Sequence, residues 1–153
     1  MSNLAALVIF GGATALVAGL GSWITAASVD SQWFDALAKP AFYPPSATFG
    51  IVWTILYVLI ALSVWIAWRG GGRAEMLIPW FIQLALNLGW TMAFFGARAP
   101  EIGMVVIIAL LLAAIWTAAA MWPHSRFAAL MFVPYILWVA FAAVLNWSIV
   151  ALN

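Results

Sequence analysis

The chain has 153 residues, 69% of them hydrophobic and only 6% charged, and its formal net charge is +1. Soluble domains average about a quarter charged residues, so this composition belongs in a bilayer and excludes a disordered chain. So small a net charge gives no reason to expect a nucleic-acid partner, and with no Cys there is no disulfide, thiolate nucleophile or Cys-ligated metal.

About 20 consecutive apolar residues cross a bilayer as a helix. Five segments qualify: about Leu4 to Ala27, Ala47 to Trp68, Met76 to Gly96, Ile102 to Trp122 and Phe127 to Ala151. The runs are continuous rather than alternating, which predicts helices and not an outer-membrane barrel. The first lacks a basic leader and is too long for the apolar part of a signal peptide. The expected fold is therefore all-α, a single domain over residues 1–153 built as a five-helix transmembrane bundle.

In the first span Ala15 and Gly19 form a short small-residue pair, read as packing within the monomer. The linker from Ser28 to Ser46 is much the longest. Its core, WFDALAKPAFYPP, combines aromatics with three prolines and predicts a stiff, partly apolar loop. Such a loop either folds back over the helix ends and closes a cavity between them, or anchors at the membrane interface. In the second span Trp53, Tyr57, Ile60 and Val64 fall on one stripe.

The third span carries Gln83 and Asn87 one turn apart, with Trp90 and Phe94 continuing that face. Ala85, Gly89, Ala93 and Ala97 form a second stripe roughly 110° around the helix. Small residues at this spacing let backbones approach closely, either within the monomer or in a homodimer. The fifth span aligns Trp138, Phe141, Ala142 and Leu145, with Tyr135 at the edge. The last three linkers are short, which makes neighbouring helices antiparallel. No internal repeat is present, against an inverted-repeat transporter.

Arg69, Arg73 and Arg126 fall on the side of the N-terminus, and Lys39 and Arg98 on the other. The balance favours a cytoplasmic N-terminus, and a helical bundle suggests a bacterial inner membrane. Every Asp, Glu, Lys and Arg lies in a linker, which argues against an ion-coupled pump. His124 is in a linker too, so a bis-His haem protein is excluded; no span holds the Lys a retinal protein needs. No metal site and no required cofactor is expected.

Eleven Trp is a large excess. Trp23, Trp65, Trp68, Trp80, Trp122 and Trp147 sit near span ends and read as an interfacial belt. Trp53, Trp90, Trp116 and Trp138 lie deeper. They serve either helix packing or a cavity in which a flat apolar ligand stacks on indole faces, with indole N–H groups as donors. Gln83 and Asn87 need hydrogen-bond partners, on a neighbouring helix or in that cavity.

WFDALAKPAFYPP (Trp33 to Pro45), WTILY (Trp53 to Tyr57), QLALNLGWTMAFFG (Gln83 to Gly96) and PYILWVAFAAVLN (Pro134 to Asn146), in this order, resemble the TspO/translocator protein family, also called tryptophan-rich sensory proteins or peripheral-type benzodiazepine receptors. The resemblance covers essentially the whole chain. It implies a five-helix bundle, often a homodimer, that binds porphyrins such as protoporphyrin IX. It implies cavity positions at Trp53, Asn87, Trp90, Trp138 and Ala142, to which helix phase adds Tyr57, Gln83 and Tyr135, under a lid of Trp33, Phe34, Pro40 and Pro45. Phe34 stands where many members have Tyr. The basic residue that ends the animal sterol motif is missing, since WSIVALN follows Asn146.

Three functions follow as expectations. The first is a membrane receptor or sensor for porphyrins, linked to tetrapyrrole metabolism or stress regulation. The second is an enzyme degrading porphyrins with light and oxygen, in which oxidisable Trp53 and Trp138 would be the catalytic residues. The third is a transporter of porphyrins or lipids.

Overall fold

The computed structural model describes residues 2–153, which are mostly helical with no strand among them. Five stretches are long and apolar enough to cross a membrane: Asn3–Val29, Ser46–Arg69, Ala74–Gly96, Pro100–Met121 and Arg126–Leu152. In lipid each backbone N–H and C=O must be paired within its own segment, and a helix does this. The protein is an integral membrane protein.

The elements are α1 (Asn3–Val29), α2 (Gln32–Ala36), α3 (Ser46–Arg69), α4 (Ala74–Thr91, continued by a π-helical turn over Met92–Gly96), α5 (Pro100–Met121), α6 (Arg126–Met131) and α7 (Val133–Leu152). Serines start three of them: Ser2, Ser31 and Ser125 accept from the N–H three residues on, at 3.1, 3.3 and 3.2 Å. Pro100 occupies the first turn of α5, where its missing N–H costs nothing.

Three features depart from the sequence reading. The long linker holds a helix of its own, α2. The fifth span is two helices that break at Phe132, because Pro134 has no N–H for the ladder. The third span widens after Thr91, with the Ala97 N–H reaching the Met92 carbonyl at 2.7 Å. That extra residue per turn shifts the register of everything beyond it. Ala93 and Ala97 therefore do not continue the Ala85–Gly89 line as an ideal helix would place them.

The core runs along the bundle axis through Phe10, Ile60, Val64, Met76, Trp80, Ile107, Leu110, Tyr135 and Val139. Exposed Leu16, Ile55, Val105 and Leu112 make up part of the lipid-facing surface. Trp80 is fully buried and edge-on to Phe10 at 5.4 Å, so it belongs to this core and not to the belt. Trp23, Trp122 and Trp147 are exposed, as a belt requires. A Cβ added to Gly89 would sit 3.8 Å from Val106, so this part of the small-residue stripe faces α5; Ala85 and Ala97 remain exposed.

Candidate functional site

A cavity of about 830 Å³ lies among α1, α3, the end of α4 and α7, under α2 and the loop that follows it. Small-molecule sites occupy roughly 300–1,000 Å³. No Asp, Glu, Lys, Arg or His lines it among the described residues.

The α1 wall is made of small residues, including Gly11, Ala15, Ala18, Gly19, Ser22 and Ala26. Ala15 and Gly19, expected to pack helices, instead make room: a Cβ on Gly19 would meet nothing within 4 Å. The two helices are tied at the other end of the seam, where Trp65 Nε1 donates to the Asn3 carbonyl at 2.9 Å.

The facing walls are aromatic. Phe49, Trp53 and Tyr57 recur every four residues along α3, which aligns them. Trp53 lies 5.5 Å from Tyr57 and 6.5 Å from Trp90, each at 30° between ring planes. The π turn brings both Phe94 and Phe95 to the cavity, and α7 contributes Ala142, Leu145, Asn146 and Ile149.

Two hydrogen-bond networks hold these walls. Tyr57 Oη donates to Asn87 Oδ1 at 2.8 Å, Asn87 Nδ2 to Tyr135 Oη at 3.1 Å, and Tyr135 Oη to Gln83 Oε1 at 2.9 Å. This chain joins α3, α4 and α7. In the second network Trp90 Nε1 donates to Asn146 Oδ1 at 3.0 Å, and Asn146 Nδ2 to the Pro100 carbonyl at 2.8 Å.

Trp53, Tyr57, Trp90 and Ala142 thus line the cavity, whereas Gln83, Asn87 and Tyr135 lie buried behind it. Both Asn87 amide atoms and Gln83 Oε1 find partners on neighbouring helices, while Gln83 Nε2 has none among the described residues. Trp138 is also outside. It borders a separate groove with Val52, Leu56, Leu59 and Pro134 and packs on Phe49 and Phe141 at 5.8 and 5.4 Å. Helix phase fixes the direction of a Cβ, not the side to which a long indole swings. Trp116 is exposed on α5. Sequence reasoning missed the α1 wall, Phe49, Phe95, Thr91 and Asn146; the signal for Asn146 was a lone amide in an apolar span.

Phe34 and Tyr43 close the cavity from above. Phe34 packs against Phe95 at 6.0 Å and Tyr43 at 6.5 Å, with Trp33 outside it against Phe94 at 6.2 Å. Lys39 sits over the Phe34 ring, 4.3 Å from its centre, and donates to the Phe34 carbonyl. Pro40 and Pro45 stand off the cavity and shape the chain: their carbonyls accept from Tyr43 and Thr48, each at 2.9 Å. Burial pushes the Tyr43 phenol above its ordinary range.

The lid is pinned to the far end of α7. Asn153 Oδ1 accepts from the Ala38 N–H at 3.0 Å, and Asn153 Nδ2 donates to the Ala38 carbonyl at 3.1 Å. Asn153→Ala is expected to speed amide exchange over residues 37–43 by about tenfold, the worth of one to two exposed hydrogen bonds. Hydrogen-exchange mass spectrometry reads this directly, and unchanged exchange would show that the pin does not hold the loop.

The sequence model of the TspO/MBR family matches residues 7–152. Tryptophan-rich protein TspO of Archaeoglobus fulgidus is 42% identical over 135 residues, covering 87% of each chain. Tryptophan-rich sensory protein of Cereibacter sphaeroides is 34% identical, over 80% of this chain and 77% of its own. Translocator protein of Sus scrofa is 34% identical, over 88% of this chain and 84% of its own.

Proposed function

Since the chain belongs to the TspO/MBR family, we propose that it is a membrane receptor for flat, largely apolar ligands of the porphyrin class, protoporphyrin IX among them, serving tetrapyrrole metabolism or stress regulation. The observation that carries this is the cavity: about 830 Å³, walled by Trp53, Tyr57 and Trp90 on one side and by small residues of α1 on the other. A planar ring stacks on indole faces, and the smooth α1 wall admits its thickness. With no His among the lining residues, the cavity offers no imidazole to a ring-bound metal, so a metal-free ring suits it better. A relative named as a sensory protein supports the receptor reading.

The test is a titration of tryptophan fluorescence with protoporphyrin IX in nanodiscs. Saturable quenching is expected, weakened by about tenfold in Trp53→Ala through lost stacking and packing, and unaffected in Trp138→Phe. Quenching that never saturates, equal in all three proteins, would mean that the porphyrin only dissolves in lipid.

The array of Trp53, Tyr57 and Trp90 favours one second reading, oxidation of the bound ring by dioxygen under light, in which dioxygen is the oxidant and these oxidisable side chains, adjoining the cavity, exchange electrons with the excited ring. Trp138, in its separate groove, would then be dispensable. Repeating the titration under illumination separates the two: new absorbing products that require Trp53 would make the protein an enzyme. The exposed Ala85 and Ala97 leave space for a second copy of the chain, in keeping with a homodimer. The excess of Arg beside the N-terminus supports a cytoplasmic N-terminus, and the helical bundle supports an inner membrane.

A further inference from the structure

We propose that the end of the bundle opposite the lid binds the headgroups of anionic phospholipids through three arginines, Arg69, Arg73 and Arg126, each stacked on a tryptophan. This surface is separate from the cavity and does not depend on what the cavity holds.

The charges divide unevenly along the bundle axis. This end carries the three arginines and one carboxylate, Glu75, whereas the lid end carries Lys39 and Arg98 against Asp30, Asp35 and Glu101. Glu75 is already engaged. His124 Nε2 stands 3.0 Å from its Oε1, and the Arg73 backbone N–H donates to the same oxygen at 3.0 Å. No arginine forms an ion pair among the described residues.

The three guanidiniums belong to one surface. α6 packs against α3, and the backbone at Gly70 approaches the His124 carbonyl. The His124–Glu75 contact then ties the linker between α5 and α6 to the start of α4. Arg69 lies over the Trp65 ring, Arg73 over Trp68 and Arg126 over Trp122, at 5.0, 4.3 and 5.6 Å from the ring centres. Two of these platforms are fixed: Trp65 by the Asn3 carbonyl, Trp68 by Phe10 at 6.0 Å. An indole at a span end marks the boundary between acyl chains and headgroups, so a cation stacked on it sits at the depth of the phosphates.

The guanidiniums lack acceptors. Arg73 spends one nitrogen on the Trp68 and Gly72 carbonyls. The side chains of Arg69 and Arg126 donate to no protein atom among the described residues, and all three arginines are exposed. Each guanidinium offers five N–H donors in a planar fork that fits a phosphate. Exposed Phe127 and Leu130, beside Arg126 on α6, give acyl chains an apolar bed. A choline headgroup would bring a second cation to this surface, whereas a glycerol headgroup leaves the phosphate charge to the arginines.

Native mass spectrometry of the whole chain in detergent, with equal amounts of phosphatidylglycerol and phosphatidylcholine of the same acyl chains, reads the preference. The wild-type protein is expected to retain phosphatidylglycerol about fivefold over phosphatidylcholine, the worth of one arginine near a charged surface. Combining Arg69→Gln, Arg73→Gln and Arg126→Gln removes the preference. Arg98→Gln, at the lid end, leaves it intact. Arg73 also bonds its own linker, so if the triple variant does not fold, the pair Arg69→Gln and Arg126→Gln decides the matter and is expected to lose most of the preference. No preference in the wild type, a preference kept in the variants, or one lost equally in Arg98→Gln would overturn the proposal. Displacement of phosphatidylglycerol by inorganic phosphate would overturn the choice of a lipid.

Discussion

Ala142→Phe is expected to weaken protoporphyrin IX binding by about 10- to 100-fold while leaving the bundle folded. Ala142 is the small residue of the α7 wall, almost fully buried yet bordering the cavity. A benzyl group there grows into the open volume that the ligand needs. The ligand must then bind with displaced neighbours, at the usual overpacking cost of about 1–3 kcal/mol. Titration against a protein with unchanged helical circular dichroism checks the prediction. Binding equal to wild type would mean that the ligand sits elsewhere.

Gly70→Ala is expected to destabilise the fold by about 3 kcal/mol, the upper end of what overpacking costs. Gly70 ends α3 beneath the linker between α5 and α6, where an added Cβ would overlap the His124 carbonyl oxygen. That oxygen is backbone and cannot swing aside. The linker is held in turn by the His124 N–H on the Met121 carbonyl and by His124 Nε2 beside Glu75, both at 3.0 Å. Thermal melting in detergent should show a clear fall in midpoint. Gly19→Ala is the matched control, since its Cβ enters empty space within α1 and should not lower the midpoint. Equal melting of the two would contradict the close approach at Gly70.

The five spans were legible in the sequence because apolar length alone decides what crosses a bilayer. Trp53 and Tyr57 were legible as one surface because a spacing of four aligns them along straight α3, and Trp90 because it continues the Gln83–Asn87 face of α4 before the π turn. Asn87 and Gln83 lie on the face of α4 that turns to the bundle interior, one layer behind the cavity wall. Periodicity gives the face; it does not say that Tyr57 and Tyr135 reach across to claim the amides first. The break at Phe132 had a visible cause in Pro134, whereas the π turn at Met92–Gly96 leaves no mark in composition. The α1 wall was misread through the ambiguity of small residues, which let either a helix or a ligand come close.

The most direct measurement is an experimental structure of the protein bound to protoporphyrin IX. The account predicts the macrocycle between the Trp53–Tyr57 face of α3 and the Ala15–Gly19 face of α1, beneath Phe34. A macrocycle seated in the outer groove beside Trp138, with the cavity holding only lipid, would contradict it.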